Sequence, residues 1–99
     1  MTIETEPFDV VEVLNSEERI SAYLEDAFES GDPSIIASAI GDVVRSRNLS
    51  ALANNAGLAR ESVPKAFSAD GDPTLSAMTA MMKSLGFRLS FAPIDRAAE

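Results

Sequence analysis

The sequence predicts a mainly α-helical chain, a bundle of five helices followed by one short strand. Three observations carry this. Apolar residues recur at helical spacing in successive windows, most cleanly at Ile20, Tyr23, Leu24, Ala27 and Phe28. Helix-starting Ser, Asp or Thr stands before such windows, and helix-stopping Gly stands after them. Only residues 87–91 alternate apolar and polar with the period of a strand. At 99 residues, 45% apolar and 24% charged, the chain has the size and composition of one small globular domain.

Residues 1–15 read as an N-terminal arm. Phe8, Val10, Val11, Val13 and Leu14 form an apolar patch that fits either a brief strand or a packed arm. Residues 16–31 read as an acidic amphipathic helix. Ser16 is placed to cap it, Glu17 and Glu18 suit the positive helix start, and Gly31 ends it. Glu18, Glu25, Asp26 and Glu29 face away from its apolar stripe.

Residues 32–86 read as the next unit. Asp32 caps a helix with Pro33 at its first position and Ile36, Ala39, Ile40, Val43 and Val44 inward, ending near Arg47-Asn48. Ser50 is expected to cap a short third helix over 51–56, which Gly57 stops. A fourth helix is expected over about 60–68, then a loop over 69–73. Thr74 caps a fifth helix with Leu75, Met78, Met81, Met82 and Leu85 inward, closed by Gly86; its methionines read as core filling. Residues 87–99 read as the C-terminal strand and tail. The tripeptide Gly-Asp-Pro at 31–33 and 71–73 has unlike flanks and reads as reused punctuation, not a repeat.

Composition removes several functions. Without cysteine or histidine there is no disulfide, no thiolate nucleophile and no imidazole base or ligand. The expectation is therefore no enzyme, no metal and no cofactor. The Asp70-Gly71-Asp72 pair reads as a loop before a helix and falls short of a calcium loop's ligand count. No apolar run reaches membrane-span length, and the acidic start has the wrong sign for a signal peptide, so the expected place is the cytoplasm. The net charge of −8 hides an asymmetry. Residues 1–42 carry eleven acids against Arg19 alone, whereas residues 43–99 carry seven bases and five acids. An acidic arm joined to a weakly basic unit suggests partners of opposite sign; otherwise the acidic surface serves solubility.

Residues 50–68 meet the demands of a helix-turn-helix. Ala53 is small where two helices touch, and Gly57 accepts positive φ four positions later. Leu58 plugs the interhelical angle and Val63 faces the first helix, with Leu49, Leu52 and Ala66 completing the inner surface.

Asp9 to Leu14, Ala22-Tyr23-Leu24, Gly31-Asp32-Pro33, Ala39-x-Gly41-Asp42-Val43 and Arg45-x-Arg47 resemble the probable addiction-module antidote proteins. So do Ser50-x-Leu52-Ala53, Gly57-Leu58-x-Arg60-Glu61-Ser62, Lys65-Ala66 and Leu85-Gly86-x-Arg88-Leu89-Ser90. The resemblance spans about residues 8–92, with the segments in the family's order. It implies a HigA-type antitoxin with a lambda-repressor-like, Xre/Cro-like helix-turn-helix. Such a protein neutralises a small basic toxin of the RelE/ParE-like class and represses their shared operon. The alternative is a stand-alone Xre-like transcriptional regulator without a toxin.

On that reading the basic half meets operator DNA. With Val63, Ala66 and Phe67 inward, Arg60, Glu61, Pro64, Lys65 and Ser68 face outward toward a major groove. Arg60 suits guanine or phosphate and Lys65 a phosphate. Glu61 either accepts from cytosine or caps the helix. Ser50 and the adjoining amides suit a phosphate, as do Arg45 and Arg47 unless they serve only the helix end. Pro64 departs from the family's pattern, which has a bulky helix former there. Either the recognition helix starts later, with Pro64 in its first turn, or it is kinked. Residues 87–91 need a partner for Phe87, Leu89 and Phe91. Pairing across a two-fold axis in a homodimer is the preferred expectation, ahead of pairing with residues 10–13.

Overall fold

The computed structural model describes residues 16–94, and within them five α-helices and one 3-10 turn. The calls on the N-terminal arm and on residues 95–99 lie outside the described residues. Helix α1 spans Glu17–Ser30, α2 Pro33–Arg45, α3 Leu49–Ala56, α4 Val63–Ala66 and α5 Leu75–Ser84; the 3-10 turn Arg60–Ser62 precedes α4.

Local chemistry sets most boundaries as expected. Ser16 Oγ accepts from Arg19 N at 3.2 Å, and Asp32 Oδ1 accepts from Ser34 N at 2.9 Å. Thr74 Oγ1 accepts from Ala77 N at 3.0 Å. Each side chain satisfies an amide that a helix start leaves without an internal partner. The third cap is different. Asn48, not Ser50, caps α3, accepting from Ala51 N at 3.1 Å. Asn48 has the extended backbone that a cap requires, and Ser50 is already inside the first turn.

The core joins Ile20 and Leu24 of α1, Ile40, Val43 and Val44 of α2, Ala53 of α3, Val63 of α4, and Met81 and Met82 of α5. Helix α1 lies against α2, and α3 lies against α5, while α2 reaches both α3 and α4. Phe67, at the end of α4, is 2% exposed and is among the largest fully buried side chains. Helix α2 passes so close to its backbone that a Cβ built on Gly41 meets the Phe67 carbonyl oxygen at 2.0 Å. Only a residue without a side chain permits that approach.

Three expectations need correction. The expected helix over 60–68 divides into the 3-10 turn and the four-residue α4. Pro64 explains this: lacking an N–H, it sits in the first turn of α4, and the Val63 N–H bonds Arg60 O instead. Leu75 is 74% exposed rather than inward, because the first turn of α5 projects beyond the core that Met81 and Met82 fill. Residues 87–94 carry no strand. Phe87 and Leu89 do turn inward while Arg88 and Ser90 face out, but Phe91 is 96% exposed. Period-two alternation decides which side chains face the core; a strand needs a hydrogen-bonding neighbour as well.

Candidate nucleic-acid interface

Helices α3 and α4 are joined through a tight turn at Gly57 and the 3-10 turn. Helix α3 ends at Gly57, whose φ of 72° is left-handed, and Leu58 N returns to Ala53 O at 2.9 Å. Ala53 and Val63 are 1% and 2% exposed where the two segments meet. Leu52, Leu58 and Ala66 pack partly buried around them. From α5, Ser84 Oγ donates to Leu52 O at 3.0 Å and braces α3 from behind.

On the outer surface, Arg60, Glu61, Pro64 and Lys65 are exposed and Ser68 is half-buried. Arg60 Nε donates to Ser50 Oγ at 2.8 Å, joining the first turn of α3 to the 3-10 turn. In the chain by itself Ser50 therefore meets Arg60. The bond uses the Nε–H and leaves the terminal N–H groups of an exposed guanidinium as further donors. Ser68 Oγ is turned onto Lys65 O at 2.9 Å, which ties its hydroxyl to the chain. Glu61 lies in the 3-10 turn, which has no side-chain cap, so the capping alternative does not hold.

Arg45 and Arg47 stand apart. The Arg45 guanidinium pairs with Asp42, which also accepts from the Tyr23 hydroxyl, so α1 and α2 are laced by a Tyr23–Asp42–Arg45 chain. Arg47 lies beyond the end of α2, exposed beside Asn48 and Ala51 at a shallow hollow near the start of α3. Neither bonds the Ser50–Arg60 pair among the described residues.

Sequence reasoning missed the Tyr23–Asp42–Arg45 chain. Tyr23 sits in the apolar stripe of α1, and nothing local shows that its hydroxyl meets a carboxylate 19 positions away. Burial, then the hydrogen bond to Asp42 and the charge of that carboxylate, push the Tyr23 hydroxyl up from 10.0 to about 12. The raised value has a definite sign. Tyr23 contributes this stability fully below its unfolded value near pH 10, and the contribution is lost as pH rises toward 12. Because the chain contains one tyrosine, ultraviolet titration of the tyrosinate band reads it alone. Asp42→Asn is expected to move that midpoint downward, and Tyr23→Phe to flatten the loss of stability over this alkaline range. An unchanged midpoint in Asp42→Asn would contradict the contact.

Among the described residues, no group of three or more His, Cys, Asp or Glu is placed to hold a metal ion. No helix there is long and apolar enough to cross a membrane.

Fold and site together define a small helical protein with an exposed Arg–Ser pair at a two-helix turn and, on another element, an acidic helix. The chain belongs to the probable addiction module antidote protein family, whose model matches residues 4–93. It is 41% identical over 88 residues to an uncharacterized protein of Haemophilus influenzae, covering 89% of this chain and 91% of that one. No solved structure matches it. An antidote of an addiction module has, in general, a toxin for its partner.

Proposed function

We propose that this chain is the antitoxin of a type II toxin–antitoxin module. It neutralises a small basic RelE/ParE-like toxin by direct binding and represses its own operon through a helix-turn-helix at residues 50–68. Membership of the antidote family over residues 4–93 carries the toxin half of this reading. The Arg60–Ser50 pair, exposed beside the Gly57 turn, supports the DNA half. Arg60 reads guanine or grips phosphate with its terminal nitrogens, and Lys65 adds a phosphate contact. Glu61 borders the same surface, while Arg45 at the end of α2 and Arg47 just beyond it, apart from that pair, supply further phosphate contacts. A second copy of the chain presents two such units to a palindromic operator. No catalytic step is assigned to any residue, and the cytoplasm, where toxin and operator meet, is the site of action.

The test has two parts. Co-expression with the adjoining open reading frame, one partner tagged, is expected to yield a stable complex and to restore growth when the neighbour alone is toxic. A gel shift with the DNA upstream of the gene pair is expected to succeed with the native chain and fail with Arg60→Ala. Circular dichroism should show the two proteins equally folded. No complex and no toxicity would remove the antitoxin reading; an undiminished shift with Arg60→Ala would remove the assigned DNA contact.

A further inference from the structure

The acidic helix α1 borders an apolar groove that the DNA reading does not use. Leu24 and Phe28 of α1, Met82 of α5, and Phe87 and Leu89 line it around a volume of about 310 Å³. No residue of α3 or α4 lines it. Ser21 and Glu25 of α1 and Arg88 complete the polar part of its lining, with Ser90.

The positions of the charges on α1 matter more than their number. Glu18, Glu25 and Glu29 are exposed and lie seven and four residues apart, so they share one face of the helix with Ala22. Ser21, Leu24 and Phe28 fall on the adjoining face, which opens into the groove. A row of three carboxylates therefore runs along one bank of an apolar channel. Among the described residues the ion pair is Arg45 with Asp42, away from this row. Next along the chain after Ser90, Phe91 and Ile94 are 96% and 77% exposed.

We infer that this groove is the docking site of a cationic protein, the toxin of the proposed module. The toxin inserts an apolar side chain between Phe28 and Leu89 and sets basic residues against Glu18, Glu25 and Glu29. The inference rests on the antitoxin reading and adds the surface to it. Charge complementarity selects the occupant: the carboxylate row repels a second copy's equally acidic α1 and attracts a basic chain. An apolar anchor with a charged rim is the usual division of labour at a protein interface. Because α3 and α4 take no part, operator DNA and toxin occupy the chain together.

The test uses the full chain and the purified product of the adjoining open reading frame. One variant, Glu18→Arg/Glu25→Arg/Glu29→Arg, reverses the row; these side chains are exposed, so the fold is expected to persist. A second, Ser21→Trp, places a bulky ring in the groove lining. Calorimetric titration is expected to show toxin binding weakened by roughly tenfold to hundredfold in the first and lost in the second. Gel shifts with the upstream DNA are expected to persist in the folded variants and, for the native chain, with toxin added. If the native chain binds the toxin and the charge-reversed variant binds it equally well, the groove assignment fails while the antitoxin reading stands. The same holds if Ser21→Trp turns a dimer into a monomer and leaves toxin affinity intact, since the occupant would then be a second copy. If the native chain does not bind the toxin, both fail.

Discussion

Gly41→Ala lowers the thermal midpoint of this protein by roughly 12–24 °C, the shift expected in a small domain for a loss of about 3 kcal/mol. The sign is the informative part. Inside an ordinary helix, exchanging glycine for alanine stabilises by about 0.5–1 kcal/mol, because alanine loses less backbone freedom on folding. Gly41 lies within α2 and has no left-handed φ, so the helix alone would favour the exchange. The opposing term is the Phe67 carbonyl, 2.0 Å from where the new Cβ would stand. A backbone oxygen cannot swing aside as a side-chain tip can, so α2 must move off the residue 67 turn. That movement opens contacts around Ile40 and Val44, which are 0% and 1% exposed. Thermal melts followed by circular dichroism read the result. A midpoint equal to or above that of the native chain would show that α2 does not approach residue 67 this closely.

Phe67→Ala is the other large effect, expected to cost about 3–5 kcal/mol. Its ring is 2% exposed and packs into the cluster shared by α1, α2, α4 and α5. Truncation removes apolar area and leaves a cavity that the short α4 is poorly placed to close. For a domain whose whole stability is about 5–15 kcal/mol, the loss should appear as a much lower urea midpoint with little change in slope. A midpoint within experimental error of the native value would mean that the ring does not fill this core. The two sites touch, so their effects are not expected to add. Once the Phe67 ring is gone, its backbone can retreat from an added Cβ, and the double variant should lose less than the sum of the single losses.

Both residues illustrate how far the sequence could be read. The helical stripes of α1 and α2 were visible, since periodicity is a local property and survives tertiary packing. Phe67 could be assigned inward for the same reason. The need for Gly41 could not, because it arises from a turn 26 positions further along the chain. On the candidate interface, Arg60 and Lys65 are where outward-facing positions put them. Ser50's partner was not legible: hydroxyls near helix starts are common, and Asn48 took the capping role that spacing had assigned to Ser50. Pro64 was legible as a disturbance, and the structure decided its form. Of the two alternatives the later start holds: Pro64 lies in the first turn of a shorter helix entered through a 3-10 turn.

Sequence alone determined the number of helices among the described residues, their caps at Ser16, Asp32 and Thr74, the left-handed stop at Gly57 and the inner faces carrying Ile20, Val43, Val63 and Met81. Each follows from residues within a turn or two of one another, where backbone geometry leaves few alternatives. Only the tertiary structure decided that Tyr23 meets Asp42, that Arg60 leans on Ser50, that α2 presses on the Phe67 carbonyl, and that a groove opens beside the acidic row of α1. Those contacts join residues 10 to about 60 positions apart. Their partners are selected by how whole helices pack, and packing depends on the summed shape of the core rather than on any local pattern.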